Sequence, residues 1–190
     1  MIKFKKTCNL IKLLLVIVIM SKVVSHLVLL GWGTVNNGHY VLSQEFGVLS
    51  VLVNYSVTGT WLSLAKELQA EQFNFLAILG SAQLLPNMLI YLFVFKLFSL
   101  FEQGKVFSLA HAKYLKYIGA TLFGWIALNL LYPVFVTMSI RLIGLSDSLS
   151  LHLNISSTEF SYLLYGLIIL AMAAVMKQAI MLKEEQELVI

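Results

Sequence analysis

Four long apolar runs, at about residues 10–31, 75–97, 117–140 and 160–182, alternate with polar stretches along this chain. Each is close to the roughly 20 residues that an apolar helix needs to cross the hydrocarbon core of a bilayer. A polar connector at 98–116 joins the second run to the third, and a charged tail follows at 183–190. The two other joining segments, 32–74 and 141–159, are longer and mixed, and their periodicity changes. Val51, Val53, Tyr55 and Val57 alternate with Leu52, Asn54, Ser56 and Thr58, a period of two that predicts a strand. Ser148 to Ser156 alternates in the same way. A lone strand is unstable, so the two segments are expected to pair in one small sheet. Asn37-Gly38 marks a turn. Residues 60–73 place Trp61, Leu64 and Leu68 on one side of a helix and Lys66, Glu67 and Glu71 elsewhere. That pattern predicts an amphipathic helix resting on the bilayer surface. The fold class expected is an all-α polytopic membrane protein. It is read as a single domain over 1–190, with four transmembrane helices and a small extracytoplasmic β-sheet cap.

Composition agrees with the pattern. The chain has 190 residues, 59% of them hydrophobic and 12% charged. Soluble domains carry roughly 25% charged residues, so this surface cannot be coated with polar groups in water. The formal charge of +4 is distributed in a way that sets orientation. The N-terminal arm holds Lys3, Lys5, Lys6 and Lys12, the connector Lys96, Lys105, Lys113 and Lys116, and the C-terminal end Lys177 and Lys183. The two mixed segments hold only Lys66 and Arg141. Basic residues concentrate on the cytosolic side of a membrane protein, which predicts both termini in the cytosol. The first run is long, and Gly31-Trp32-Gly33 rather than a small-residue cleavage site follows it, so it is read as an uncleaved span.

Several residues refine these elements. Gly104 is a natural helix stop, Ser108 a natural N-cap, and Ala120 with Gly124 a small-xxx-small pair for close helix contact. Polar groups interrupt the spans: Lys22 and His26, four apart in the first; Gln83 and Asn87, four apart in the second, beside Pro86; and Asn129 near Pro133 in the third. Lys22 either snorkels to the headgroups or lies on a functional path. Gln83 and Asn87 either bond a neighbouring helix or, with Asn129, line such a path.

Candidate chemistry is sparse. The four histidines, His26, His39, His111 and His152, show no metal-ligand spacing. The sole cysteine, Cys8, precedes the first run and can form no internal disulfide; it is a spectator thiol or a juxtamembrane acylation site. None of the nine acids falls in the middle of an apolar run, where a cation-coupled transporter usually needs one. No enzyme activity, metal or cofactor is expected.

Two segments carry a resemblance. The first is Phe98-Ser-Leu-Phe-Glu-Gln-Gly-Lys-Val-Phe107, running on to Tyr114-Leu-Lys-Tyr-Ile-Gly119. The second is the ending Leu182-Lys-Glu-Glu-Gln-Glu-Leu-Val-Ile190. They are similar to the connector and terminal patterns of a bacterial family of four-helix membrane proteins, domain of unknown function family 2975. Here Glu187 stands where that family has aspartate, and Val189 where it has threonine. Genes of the family often neighbour one for a small helix-turn-helix protein. The resemblance therefore implies a regulatory or sensory membrane component that contacts a cytosolic DNA-binding regulator, with no direct nucleic-acid contact. The docking candidates are Gly104, Lys105 and Phe107 in the connector and Glu184, Glu185, Glu187 and Leu188 in the tail. The bilayer and further copies of the chain are the other expected partners. The alternative is a small transporter, channel or immunity-type protein using Lys22, Gln83, Asn87 and Asn129.

Overall fold

The computed structural model describes residues 2–32, 34–36, 39–46, 49–55, 60–70, 82, 84–104, 108–145, 153, 155 and 157–187. Among them are five helices, here α1 (Ile2–Trp32), α2 (Thr60–Ala70), α3 (Leu84–Glu102), α4 (Leu109–Leu142) and α5 (Ser157–Glu187). α1, α3, α4 and α5 are long and apolar enough to cross a membrane. Their outer surfaces fit that setting. Leu13, Leu14, Ile17 and Leu27 of α1, Leu131 and Phe135 of α4, and Leu164, Ile168 and Val175 of α5 are all exposed. Such continuous apolar surface is untenable in water and is what acyl chains require. The protein is a multi-pass membrane protein.

The helices outrun the apolar runs because their ends are capped by local chemistry. α3 continues to Glu102 and is stopped at Gly104, which has φ +76° and donates to the Phe101 carbonyl at 3.1 Å. Only glycine takes that left-handed conformation without penalty. Ser108 caps α4: its carbonyl accepts from His111 N at 2.9 Å, and its hydroxyl lies 2.9 Å from His111 Nδ1. α4 ends in a Schellman turn, in which Gly144 (φ +72°) donates to Arg141 O and Leu145 to Ile140 O. Of the second span, expected at 75–97, the described helix begins at Leu84; 71–81 and Gln83 lie outside the described residues.

Three strands accompany the helices: β1 (Thr34–Asn36), β2 (His39–Phe46) and β3 (Leu49–Tyr55), antiparallel in the order β1-β2-β3. β1 and β2 flank the Asn37-Gly38 dipeptide, with Asn36 opposite His39, the spacing of a two-residue hairpin. β3 pairs with β2 from Tyr55 opposite Tyr40 to Leu49 opposite Phe46. This corrects the expected cap. Leu49–Tyr55, which holds the described part of the alternating segment at 51–57, pairs with the strand next to it in sequence. Of the second alternating segment, Ser148 to Ser156, only Leu153 and Ile155 are described, and neither belongs to a strand. A short hairpin connection closes with less loss of chain entropy than one spanning most of the chain.

The chain divides into two compact units. The first comprises 1–19, 86–124 and 160–190; the second comprises 20–85 and 125–159. In the first unit α4 packs against α5 where glycine removes the side chain. A Cβ on Gly119 would lie 2.7 Å from Leu170 Cγ and 3.1 Å from the Gly166 carbonyl, and one on Gly166 would lie 3.0 Å from Phe123. The expected Ala120/Gly124 contact is thereby corrected: both residues are exposed, and a Cβ on Gly124 meets nothing within 4 Å. One residue of rotation about the helix turns Gly119, not Ala120, toward α5. α3 joins this unit through rings, Phe93 with Tyr117 at 5.3 Å and Phe101 with His111 at 4.5 Å between centroids. α1 joins through an ion pair from Lys12 to Glu102. Cys8 is 1% exposed, which withdraws its thiol from the surface where acylation would occur.

In the second unit Leu64 and Leu68 of α2 are 3% and 1% exposed, while Lys66 is exposed. The helix is amphipathic as its sequence predicts. Its apolar face is closed by protein, however, so it does not rest on the bilayer by that face.

Candidate functional site

The first unit gathers the N-terminal arm, the connector and the tail, and it holds ten of the thirteen lysine and arginine residues. Among the docking candidates, Gly104 is exposed at the α3 stop. Lys105, Phe107 and Leu188 lie outside the described residues. Glu184, Glu185 and Glu187 continue α5 beyond Ile180, the last buried residue of that helix among those described, and Glu184 and Glu185 are exposed. Among the described residues the ion pair of this unit's connector is Lys12–Glu102, and neither Glu184 nor Glu185 reaches a lysine. Asn87, half-buried on α3, also belongs to this unit and is bonded.

Lys22, His26 and Asn129 belong to the second unit. Lys22 is on the outer surface of α1, and His26, one turn on, is half-buried and has a partner. Asn129 is 1% exposed. Its side-chain amide donates to Glu159 Oε1 at 2.5 Å, and Glu159 is itself 3% exposed. Pro133, also fully buried, has no N–H, so the Asn129 carbonyl four residues earlier loses its helical donor. Thr137 in turn donates to the Pro133 carbonyl at 2.9 Å. This turn of α4 is thus a buried polar step in an apolar helix. Asn129 was legible as a polar residue inside a span; the structure pairs its amide with Glu159.

Glu159 is the residue that the sequence reading missed, having been set at the end of a polar segment. It is the third residue of α5, where the positive end of the helix dipole favours a carboxylate. The pattern Ser156-x-x-Glu159 ahead of an apolar run was the available signal, since it has the form of a capping box and places the acid inside the helix. Among the described residues no three His, Cys, Asp or Glu side chains gather to hold a metal ion.

No curated protein and no solved structure matches the chain. Residues 54–190 match the profile of a family described as a protein of unknown function, DUF2975. That match covers the three later spans, the connector and the tail, with their glycine stop, serine cap and acidic helix end. Most of the sequence is included, and the chain belongs to the DUF2975 family.

Proposed function

We propose that this protein is a non-catalytic regulatory component of the bacterial inner membrane, with both termini in the cytosol, whose acidic α5 end docks a basic soluble regulator of the helix-turn-helix class. The observation that carries the reading is the state of Glu184 and Glu185. They sit exposed on the last turns of α5 and pair with no lysine among the described residues. Negative charge at a helix C-terminus is disfavoured by the dipole and repelled by an anionic leaflet. A basic partner reverses both terms. Deleting 184–190 is expected to abolish capture of the regulator by the solubilised protein while membrane insertion stays normal. Unchanged capture with a less stable fold would show instead that the tail clasps its own chain.

Sidedness has its own test. The basic segments gathered in the first unit support a cytosolic placement for the N-terminus, the connector and the tail. Reporter fusions at residue 190 and at Ser148 are expected to report opposite sides. Equal sidedness would remove a span and end this reading.

A transporter or channel is the second reading, and the buried Asn129–Glu159 pair favours it, since a carboxylate inside a membrane bundle commonly serves ion passage. Glu159→Gln would then abolish flux through proteoliposomes, and on the regulatory reading it leaves regulator capture intact.

A further inference from the structure

α4 and α5 line an open-sided cavity of about 460 Å³ in the first unit. Its α4 wall is Leu109, Ala112, Lys113 and Lys116. Its α5 wall is Leu170, Ala173, Ala174 and Lys177. Both sets have the spacing i, i+3, i+4, i+7, so each is one continuous helix face. The cavity has a structural cause. At Gly119 and Gly166 the two backbones approach closely, and toward the Ser108 end alanines replace larger side chains where the helices face each other. Ala112 and Ala173 form a buried floor, 6% and 5% exposed, and the three lysines are exposed around it.

We propose that this cavity binds an anionic phospholipid of the surrounding leaflet, its phosphate held by Lys113, Lys116 and Lys177 and its first acyl carbons lying on Leu109 and Leu170. Three features select that occupant. The lining carries three cations and no acid, so the site is complementary to an anion. Its floor is apolar, which suits a ligand with an anionic head and a hydrocarbon body better than a small hydrated ion. Its place is the end of two spans, where α4 begins and its dipole adds positive potential, which is the depth of lipid headgroups. Lysine pockets between transmembrane helices are known to hold anionic headgroups by this combination. A volume of 460 Å³ lies within the roughly 300–1,000 Å³ typical of ligand pockets. The inference does not depend on tail docking, because Glu184 and Glu185 are not among the lining residues.

The test uses the full chain in neutral detergent, titrated with phosphatidylglycerol or phosphatidylcholine, with bound lipid counted by native mass spectrometry. Retention of phosphatidylglycerol is expected to exceed that of phosphatidylcholine by about tenfold or more, the scale set by several lysines acting together. The triple change Lys113→Ala, Lys116→Ala, Lys177→Ala should abolish the preference, and Lys22→Ala should leave it intact. Ala174→Phe, which fills the cavity and keeps every charge, should also abolish it; this variant separates a built site from diffuse surface charge and does not rely on the triple variant folding. Equal retention of the two lipids, or undiminished preference in either cavity variant, overturns the proposal. Full displacement by millimolar inorganic phosphate would make this a free-anion site. Displacement by a peptide of residues 183–190 would make it a dock for the chain's own tail. Either result overturns the lipid assignment.

Discussion

Gly119→Leu is expected to leave little folded protein, and Gly119→Ala to lower stability by about 1–3 kcal/mol, the usual cost of overpacking. Even the single methyl of alanine lands 2.7 and 2.8 Å from Leu170 Cγ and Cδ2 and 3.1 Å from the Gly166 carbonyl. The leucine can change rotamer at a cost of about 0.5–1.5 kcal/mol, but the carbonyl is backbone and moves only if α5 moves. A leucine side chain cannot be housed without separating the helices. Gly124→Ala supplies the control, because its Cβ meets nothing within 4 Å. Helix propensity alone should then raise stability by up to about 1 kcal/mol. Unfolding midpoints in a mixed-detergent titration measure all three variants. If Gly119→Ala tracks Gly124→Ala, the helices do not meet at Gly119.

The second large effect is expected at the buried amide–carboxylate pair. Asn129→Leu removes a donor from a carboxylate that is 3% exposed. Hydrogen bonds to charged groups contribute about 1.5–3 kcal/mol, and the lower part of that range applies here because Glu159 keeps other contacts. Replacing Glu159 with leucine in the Asn129→Leu background should recover part of the loss, since it removes the buried acceptor that the first change left without its amide donor. The double-mutant cycle is expected to show a coupling of about 1–2 kcal/mol. Strict additivity of the two changes would show that the amide and the carboxylate do not interact.

The elements that were legible in advance are those whose cause is local. Gly104 stops α3 because one residue needs a positive φ, and Ser108 starts α4 because one carbonyl and one hydroxyl meet the first turn. The polar character of Asn129 was equally plain. The elements that were misread depend on which way a segment faces. Val51 to Val57 announced a strand, but not that residues 39–46 would supply its partner. Leu64 and Leu68 announced an apolar face, but not whether lipid or protein would close it. Ala120 and Gly124 announced a smooth strip, while the contact runs through Gly119, one position away and about 100° round the helix. Lys12 and Glu102 stand ninety positions apart, and no periodicity connects them.

By itself the sequence determined that the chain lives in a bilayer, that it has four apolar helices long enough to cross one, where the connector's helices stop and start, and how basic residues are apportioned among its segments. Each follows from length, hydropathy or the chemistry of a few consecutive residues, because water and lipid act on every residue in the same way wherever the chain goes. Only the tertiary structure decided that Gly119 and Gly166 carry a close contact between α4 and α5, that Glu159 is buried with Asn129, and that three lysines from two helices line one apolar cavity. In an apolar span most faces look alike, since lipid and a neighbouring helix both accept leucine. The choice among them is made by packing, which is a property of two surfaces and is written in neither one alone.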